Sequence, residues 1–251
     1  MYSQFEQAER RGQVKYNVVY NPSLVRDAGP ELFEPSYWHD LSGATHAVGG
    51  RGGVLFIRDG ERHWVLRHYR RGGLIGKLLT DQYLWLGAEI TRSFREWRLL
   101  AHLHALGLPV PTPVAARYVR SGLIYRADLL TVAIEGVQTL AQRLEQGMLD
   151  KSLWQHIGIT LARFHAVGAH HADLNANNIL LDDNDNVFVL DFDRGRLRRA
   201  QGGWINAVLT RLLRSLDKLK NKNGLRFTED DWQTLLKAHD LRLQELTARV
   251  L

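Results

Sequence analysis

The sequence predicts an α+β protein in two parts, with strands dominating the first half and helices the second. Between Ala47 and Ile134, short runs rich in Val, Leu, Ile and aromatic residues are separated by glycine turns. After that stretch, longer runs carry apolar residues at helical spacing. The character changes near Gly136, with no internal repeats and no long low-complexity linker. We place the boundary at 134/135, giving a β-rich N-terminal lobe (1–134) and an α-rich C-terminal lobe (135–251). A chain of 251 residues is long enough for one large domain or two small lobes around a cleft.

Residues 1 to about 45 are expected to be irregular, punctuated by Pro22, Pro30 and Pro35, with a small packed segment at Tyr37 and Trp38. From Ala47, AVGG-RGG-VLFI predicts a strand, a glycine turn and a second strand, and HWVLRHY a third. Residues 83–106 carry helical spacing, with Phe94, Trp97, Leu100 and Leu103 near one face and Gly107 and Pro109 ending the run. A hairpin follows, VAARYVR to LIYRADLLTVAI across a Ser-Gly turn, making about five strands and one helix before residue 135. Beyond it, LWQHIGITLARFHAVGA is a helix, as are residues 204–219 and 230–247. Two acidic clusters with short strands lie between these helices.

Apolar residues make up 45% of the chain and charged residues 24%, ordinary proportions for a folded globule. There is no cysteine, which excludes disulfides and thiolate metal sites. The net charge of +6 favours phosphates, nucleic acid or an anionic membrane surface as partners. The N-terminal residues form no continuous apolar segment of the secretory type, and no run is long enough to cross a bilayer. Any membrane contact is expected to be peripheral.

The acidic clusters are HADLNANN, His171 to Asn178, and LDFDRG, Leu190 to Gly195. Upstream, in order, stand Gly49, Gly50, Gly52 and Gly53 around Arg51, then Arg67 on the third predicted strand, then Glu96 on the predicted helix. Glycine loop, strand cation, helix glutamate, HxDxxxxN and DFD together resemble the bilobal protein-kinase-like fold over about residues 49–193. That fold has an N-terminal antiparallel β-sheet lobe and a mainly helical C-terminal lobe. The segments VLRHYRRGG, FREWRLL, PVPTP, HADLNANNILL and LDFDRGR make the chain similar, over nearly its whole length, to the 3-deoxy-D-manno-octulosonic acid (Kdo) kinases of the lipopolysaccharide kinase family. The resemblance implies ATP and Mg2+ as cofactors. It also implies phosphorylation of the 4-hydroxyl of a Kdo residue on a lipid A precursor, by a peripheral protein at the cytoplasmic face of the bacterial inner membrane.

The roles expected of single residues follow from chemistry as well as from position. Glycines 49, 50, 52 and 53 let backbone N–H groups approach phosphate oxygens, although GGRGG departs from GxGxxG. Arg67 stands where protein kinases carry lysine, and a guanidinium can bind the α/β phosphates in a fork. Lys77 is its rival, and Glu89 the rival of Glu96 as its partner. Asp173 is expected to accept the acceptor's proton, with His171 bracing the loop and Asn178 and Asp191 holding magnesium. Asp193, where DFG has glycine, is expected to help with the metal or, by slight preference, to cap the turn. The adenine is placed against the connector near Leu130 to Gly136, with ATP between the lobes.

Ala172 replaces the arginine of HRD, and no APE-like segment precedes the helix at Trp204, so a protein substrate is disfavoured. Arg70, Arg71, Arg194 and Arg196 are expected to bind the acceptor's carboxylate and phosphates. Arg198 and Arg199 extend that basic run, and the basic stretch NAVLTRLLRSLDKLKNK suits an anionic membrane surface. The alternatives are a kinase of lipopolysaccharide core heptose, an aminoglycoside- or choline-type kinase, a pseudokinase and a nucleic-acid-binding module. Cationic acceptors call for acidic residues where this chain is basic. A nucleic-acid module leaves the ordered acidic clusters unexplained, so no nucleic acid is expected as a partner.

Overall fold

The computed structural model describes residues 5–11, 14–41, 45–46, 53–70, 81–224 and 226–248. The chain divides into two units, Met1–Ala105 with Pro111–Ala133, and Leu106–Val110 with Ile134–Leu251. The first is built on a sheet and the second mainly on helices, the bilobal α+β architecture of the protein-kinase-like fold.

In the first unit the strands are β1 (Phe5–Arg11), β2 (Val14–Tyr20), β3 (Thr45–His46), β4 (Val54–Asp59), β5 (Arg62–His68), β6 (Tyr83–Leu84), β7 (Pro113–Ser121) and β8 (Ile124–Val132). They form one antiparallel sheet in the order β1-β2-β7-β8-β5-β4-β3, with β6 paired to β8. The helices are α1 (Pro35–Leu41) and α2 (Arg92–Ala105), with 3-10 turns at Pro30–Phe33 and Ala88–Ile90.

Two expectations are corrected here. Residues 5–11 and 14–20 are not irregular: β1 and β2 extend the sheet, and β2 pairs with β7 from Val14↔Ser121 to Tyr20↔Ala115. The period-2 pattern of Tyr16, Val18 and Tyr20, all buried, carries that strand into the core. The prolines punctuate only the chain that follows. Nor do residues 83–106 form one helix. Gly87 has φ 130, outside the helical region, and the helix starts only after Thr91, whose hydroxyl and N–H both bond to Ala88 O. The apolar stripe of α2 is as expected, with Phe94, Trp97, Leu100 and Leu103 buried.

The two faces of this sheet differ. Neighbours on a strand point to opposite sides, and β7 shows it. Tyr118 stacks edge-on with Phe94 of α2 at 5.0 Å, while Arg117 reaches Glu34 and the carbonyls of Pro30 and Phe33. The face opposite α2 is covered by Leu32, Phe33 and Trp38, packed on Leu55, Leu66, Ala115 and Leu130. Trp38 is fully buried, and its indole N–H bonds to Leu32 O at 2.9 Å. The packed segment expected at Tyr37 and Trp38 is therefore a lid on the sheet's second face.

In the second unit follow β9 (Val137–Thr139), α3 (Leu140–Gln146), α4 (Lys151–Ala166), β10 (Ala169–His170), β11 (Ile179–Asp182), β12 (Val187–Val189), β13 (Arg196–Leu197), α5 (Trp204–Asn223) and α6 (Glu229–Ala248). Helix α3, absent from the sequence prediction, begins in a capping box: Thr139 Oγ1 accepts from Gln142 N, and the Gln142 side chain accepts from Thr139 N. Helices α4 and α6 pack so closely that a Cβ on Gly158 would lie 2.3 Å from the carbonyl oxygen of Leu235. Strand β11 lies between β9 and β12, and β10 pairs with β13. Among the described residues no helix is long and apolar enough to cross a membrane.

Candidate active site

In the first unit Arg67 lies on β5, paired in register with Val54 and Leu129. Its guanidinium forms an ion pair with Glu96 of α2, a carboxylate 2% exposed. Tyr69, two residues further on and just past the end of β5, donates its hydroxyl to Glu96 Oε2 at 2.5 Å and accepts from Arg67 Nη2 at 3.3 Å. Burial pushes the Tyr69 phenol well above its ordinary pKa, and the neighbouring Glu96 charge adds to this, so it stays a donor. Glu89 instead pairs with Arg98 at 2.8 Å and is 65% exposed, so Glu96 is the glutamate beside Arg67.

Residues on the far side of β5 face elsewhere. His68 Nδ1 lies 2.6 Å from Asp128, which also accepts from Arg117 Nε at 2.9 Å. The hydrogen bond to Asp128 raises the His68 pKa despite partial burial, and Asp81 adds to the rise. Arg70 lines a cavity of about 510 Å³ on this side with Phe33, Glu34, His68, Arg117 and Asp128, away from Arg67. Gly53 borders the same cavity, and its carbonyl accepts from His68 N at 3.0 Å. Gly49, Gly50, Gly52, Arg71 and the rival Lys77 lie outside the described residues.

In the second unit one histidine ties the two acidic clusters together. His171 Nε2 donates to Leu190 O at 2.7 Å, and Nδ1 accepts from Asp173 N at 3.1 Å. One nitrogen must donate and the other accept, so the ring is the neutral Nε2–H tautomer. Burial, which lowers the His171 pKa, favours the same form. The ring packs on Phe192 at 4.8 Å, and Phe192 stacks on Phe164 of α4. Leu190 N–H returns a bond to Asn178 O at 2.8 Å. His171, Asp173, Asn178 and Leu190, the residue before Asp191, are thus held in one small network.

The amide of Asn178 donates to Asp173 O at 3.0 Å, which turns its Oδ1 away as the remaining acceptor. Asp191 follows β12 at φ 60, a left-handed conformation that turns the chain sharply after the strand. One carboxylate and one neutral oxygen are hard donors of the kind magnesium takes when phosphates complete its shell. Among the described residues no group of three or more His, Cys, Asp or Glu gathers into a site built from protein alone. An aspartate and an asparagine oxygen fit a magnesium ion whose other ligands are nucleotide phosphates.

Arg194 and Arg196 are exposed just beyond Asp191, Arg196 on β13 and Arg194 at φ 59. Sequence reasoning missed two residues. The signal for Tyr69 is its place in HWVLRHY, two positions from Arg67 in the predicted strand, although β5 itself ends at His68. Arg211 had no signal: it lies on α5, 38 residues from Asp173 along the chain, yet its Nη1 donates to Asp173 Oδ1 at 2.7 Å.

A sheet bearing a braced arginine–glutamate pair, and a helical unit in which HxDxxxxN is bonded to the residue preceding DFD, define a phosphotransferase of the protein-kinase-like class. Within that class the chain belongs to the lipopolysaccharide kinase (Kdo/WaaP) family, whose model matches residues 36–239. It is 43% identical over 233 residues to a 3-deoxy-D-manno-octulosonic acid kinase of Stenotrophomonas maltophilia (strain R551-3), covering 92% of each chain. A protein of the same description from Xylella fastidiosa (strain 9a5c) is 43% identical over 226 residues, 89% of each chain. One from Vibrio parahaemolyticus is 40% identical over 221 residues, 88% of this chain and 92% of its own.

Proposed function

We propose that the protein transfers the γ-phosphoryl group of ATP to the 4-hydroxyl of a Kdo residue on a lipid A precursor. The observation that carries the kinase reading is the His171 bridge, which ties Asp173 and Asn178 to Leu190, the residue before Asp191. The likeness to Kdo kinases along some nine-tenths of the chain carries the choice of acceptor.

In this reading Arg67, held by Glu96 and Tyr69, binds the α/β phosphates. Asp191 and Asn178 hold magnesium, which neutralises phosphate charge when bound. Asp173 orients the acceptor hydroxyl and takes its proton as the oxygen–phosphorus bond forms and the bond to the departing ADP breaks. The neutral His171 keeps the loop in shape and takes no proton. Exposed Arg194 and Arg196 meet acceptor carboxylate or phosphate. With the basic last turn of α5, Lys220 and Lys222, they suit a peripheral protein at the anionic cytoplasmic face of the inner membrane.

The test incubates purified protein, magnesium and ATP with Kdo-bearing lipid A precursor, the same precursor lacking Kdo, and a heptose-bearing core. Mass spectrometry is expected to find one added phosphate, on Kdo, only where Kdo is present. Phosphate on heptose and none on Kdo would overturn the acceptor and leave the kinase mechanism standing. The Asp173→Ala protein is expected to lose nearly all turnover while keeping its fold and its ATP affinity.

A further inference from the structure

We infer that Arg211 is a catalytic cation of the phosphoryl transfer, delivered to the HADLNANN loop by α5 because the loop carries none. The inference rests on the reading of Asp173 as proton acceptor. Between His171 and Asn178 there is no lysine or arginine. Charge builds on the phosphoryl oxygens as the acceptor attacks, and a cation aimed at them is among the strongest aids available to this reaction.

Arg211 is placed to supply it. Its Nη1 donates to Asp173 Oδ1 at 2.7 Å, while its Nε and Nη2 have no hydrogen-bond partner among the described residues. Asp173 Oδ2 likewise has no partner there. The geometry divides the labour: Oδ1 is held by the guanidinium, Oδ2 receives the acceptor's proton, and the remaining N–H groups of Arg211 meet the phosphoryl group in transit. Proton, new oxygen–phosphorus bond and departing ADP balance without any further reactant.

A structural salt bridge explains the arrangement less well. The side chains are 55% and 65% exposed, and a pair so wet contributes little to stability. The position of Arg211 is nonetheless set by buried structure. Leu212 and Leu216 are fully buried on α5. Ser215, one turn from Arg211 on the same helix edge, accepts from Ala176 N at 3.2 Å. The helix thus holds the loop at two points four residues apart.

The experiment compares wild type, Arg211→Ala, Arg211→Lys and Asp173→Asn on Kdo-bearing lipid A precursor with magnesium and ATP. Arg211→Ala is expected to lower kcat about 10²- to 10³-fold, with the KM for ATP changed less than about threefold and thermal melting unchanged. Added guanidinium ion is expected to restore part of that loss in Arg211→Ala and nothing in Asp173→Asn. Arg211→Lys is expected to keep intermediate turnover, since the charge survives and the fork does not. Wild-type turnover in Arg211→Ala beside a dead Asp173→Asn would overturn the role of Arg211 and leave that of Asp173. A raised acceptor KM with intact kcat would also overturn it, making Arg211 a binding contact. An active Asp173→Asn would remove the reading on which the inference rests.

Discussion

At Glu96 two donors converge on a single buried carboxylate. Losing either would leave a buried charge on α2 less well satisfied, which costs far more than the same loss at the surface. Arg67 supplies the opposite charge, and Tyr69 fills the second oxygen with a phenol that burial keeps protonated. Tyr69→Phe removes that bond without removing the ring, so Arg67 is expected to lose its fixed direction before it loses its charge. The expected outcome is a rise in the KM for ATP of about tenfold or less, corresponding to roughly 1 kcal/mol of lost bracing. Arg67→Ala is expected to raise it further or to depress kcat, and Arg67→Lys to recover part. Initial rates over an ATP titration measure all three. If Tyr69→Phe leaves that titration and the melting temperature unchanged, the phenol does not brace the pair.

Among the elements, the pair α4 and α6 shows how one missing side chain sets a crossing. Glycine inside a helix costs about 1 kcal/mol relative to alanine, so Gly158 in mid-α4 needs a reason. The reason is the Leu235 carbonyl of α6, which a Cβ would meet at 2.3 Å. That neighbour is backbone and cannot rotate aside, so the helices would have to separate. Strain of this kind costs about 1–3 kcal/mol or more, and outweighs the propensity gained. Gly158→Ala is therefore expected to destabilise the protein by roughly 2 kcal/mol net and to lower Tm by about 4–8 °C. A thermal melt that rises on substitution would show that α6 yields freely.

Across the whole molecule, stability against pH is shaped by histidines pulling in opposite directions. His165 is held neutral, its pKa pushed down to about 3 by burial first and by the neighbouring histidines after it. Its ring touches His239 at 2.8 Å and lies edge-on to Trp204. Unfolded, it takes up a proton near pH 6.5; folded, it refuses one until about pH 3. The folded chain binds fewer protons in that interval, so its contribution is complete above pH 6.5 and is lost as pH falls toward 3. The loss is on the order of 5 kcal/mol if this group acts alone. His68, raised by Asp128, behaves oppositely: its contribution is present below pH 6.5 and disappears as pH rises through its folded value. Denaturant unfolding from pH 7 to pH 4 is expected to show stability falling more steeply in the wild type than in His165→Gln. Equal slopes would mean that His165 is not the acid-sensitive group.

Periodicity and motif order were enough to predict a strand-rich first half, a helix-rich second half, the stripe of α2 and the clusters around Asp173 and Asp191. Those features are local: side-chain spacing decides which face of a helix or strand is apolar, and HxDxxxxN spans a single loop. The placing of β1 and β2 was decided by tertiary pairing, because their partner β7 lies some hundred residues away and only Tyr16, Val18 and Tyr20 hint at it. The choice of Glu96 over Glu89 was likewise decided in three dimensions, since both are glutamates near the start of one helical pattern and only one faces Arg67. Arg70, two residues past the end of β5, lines the cavity beside His68 and not the Arg67 side, a placement visible only in the folded chain. Arg211 was beyond sequence reasoning altogether. An exposed arginine on a basic helix looks like any other, and only the docking of α5 on the loop brings its guanidinium to Asp173.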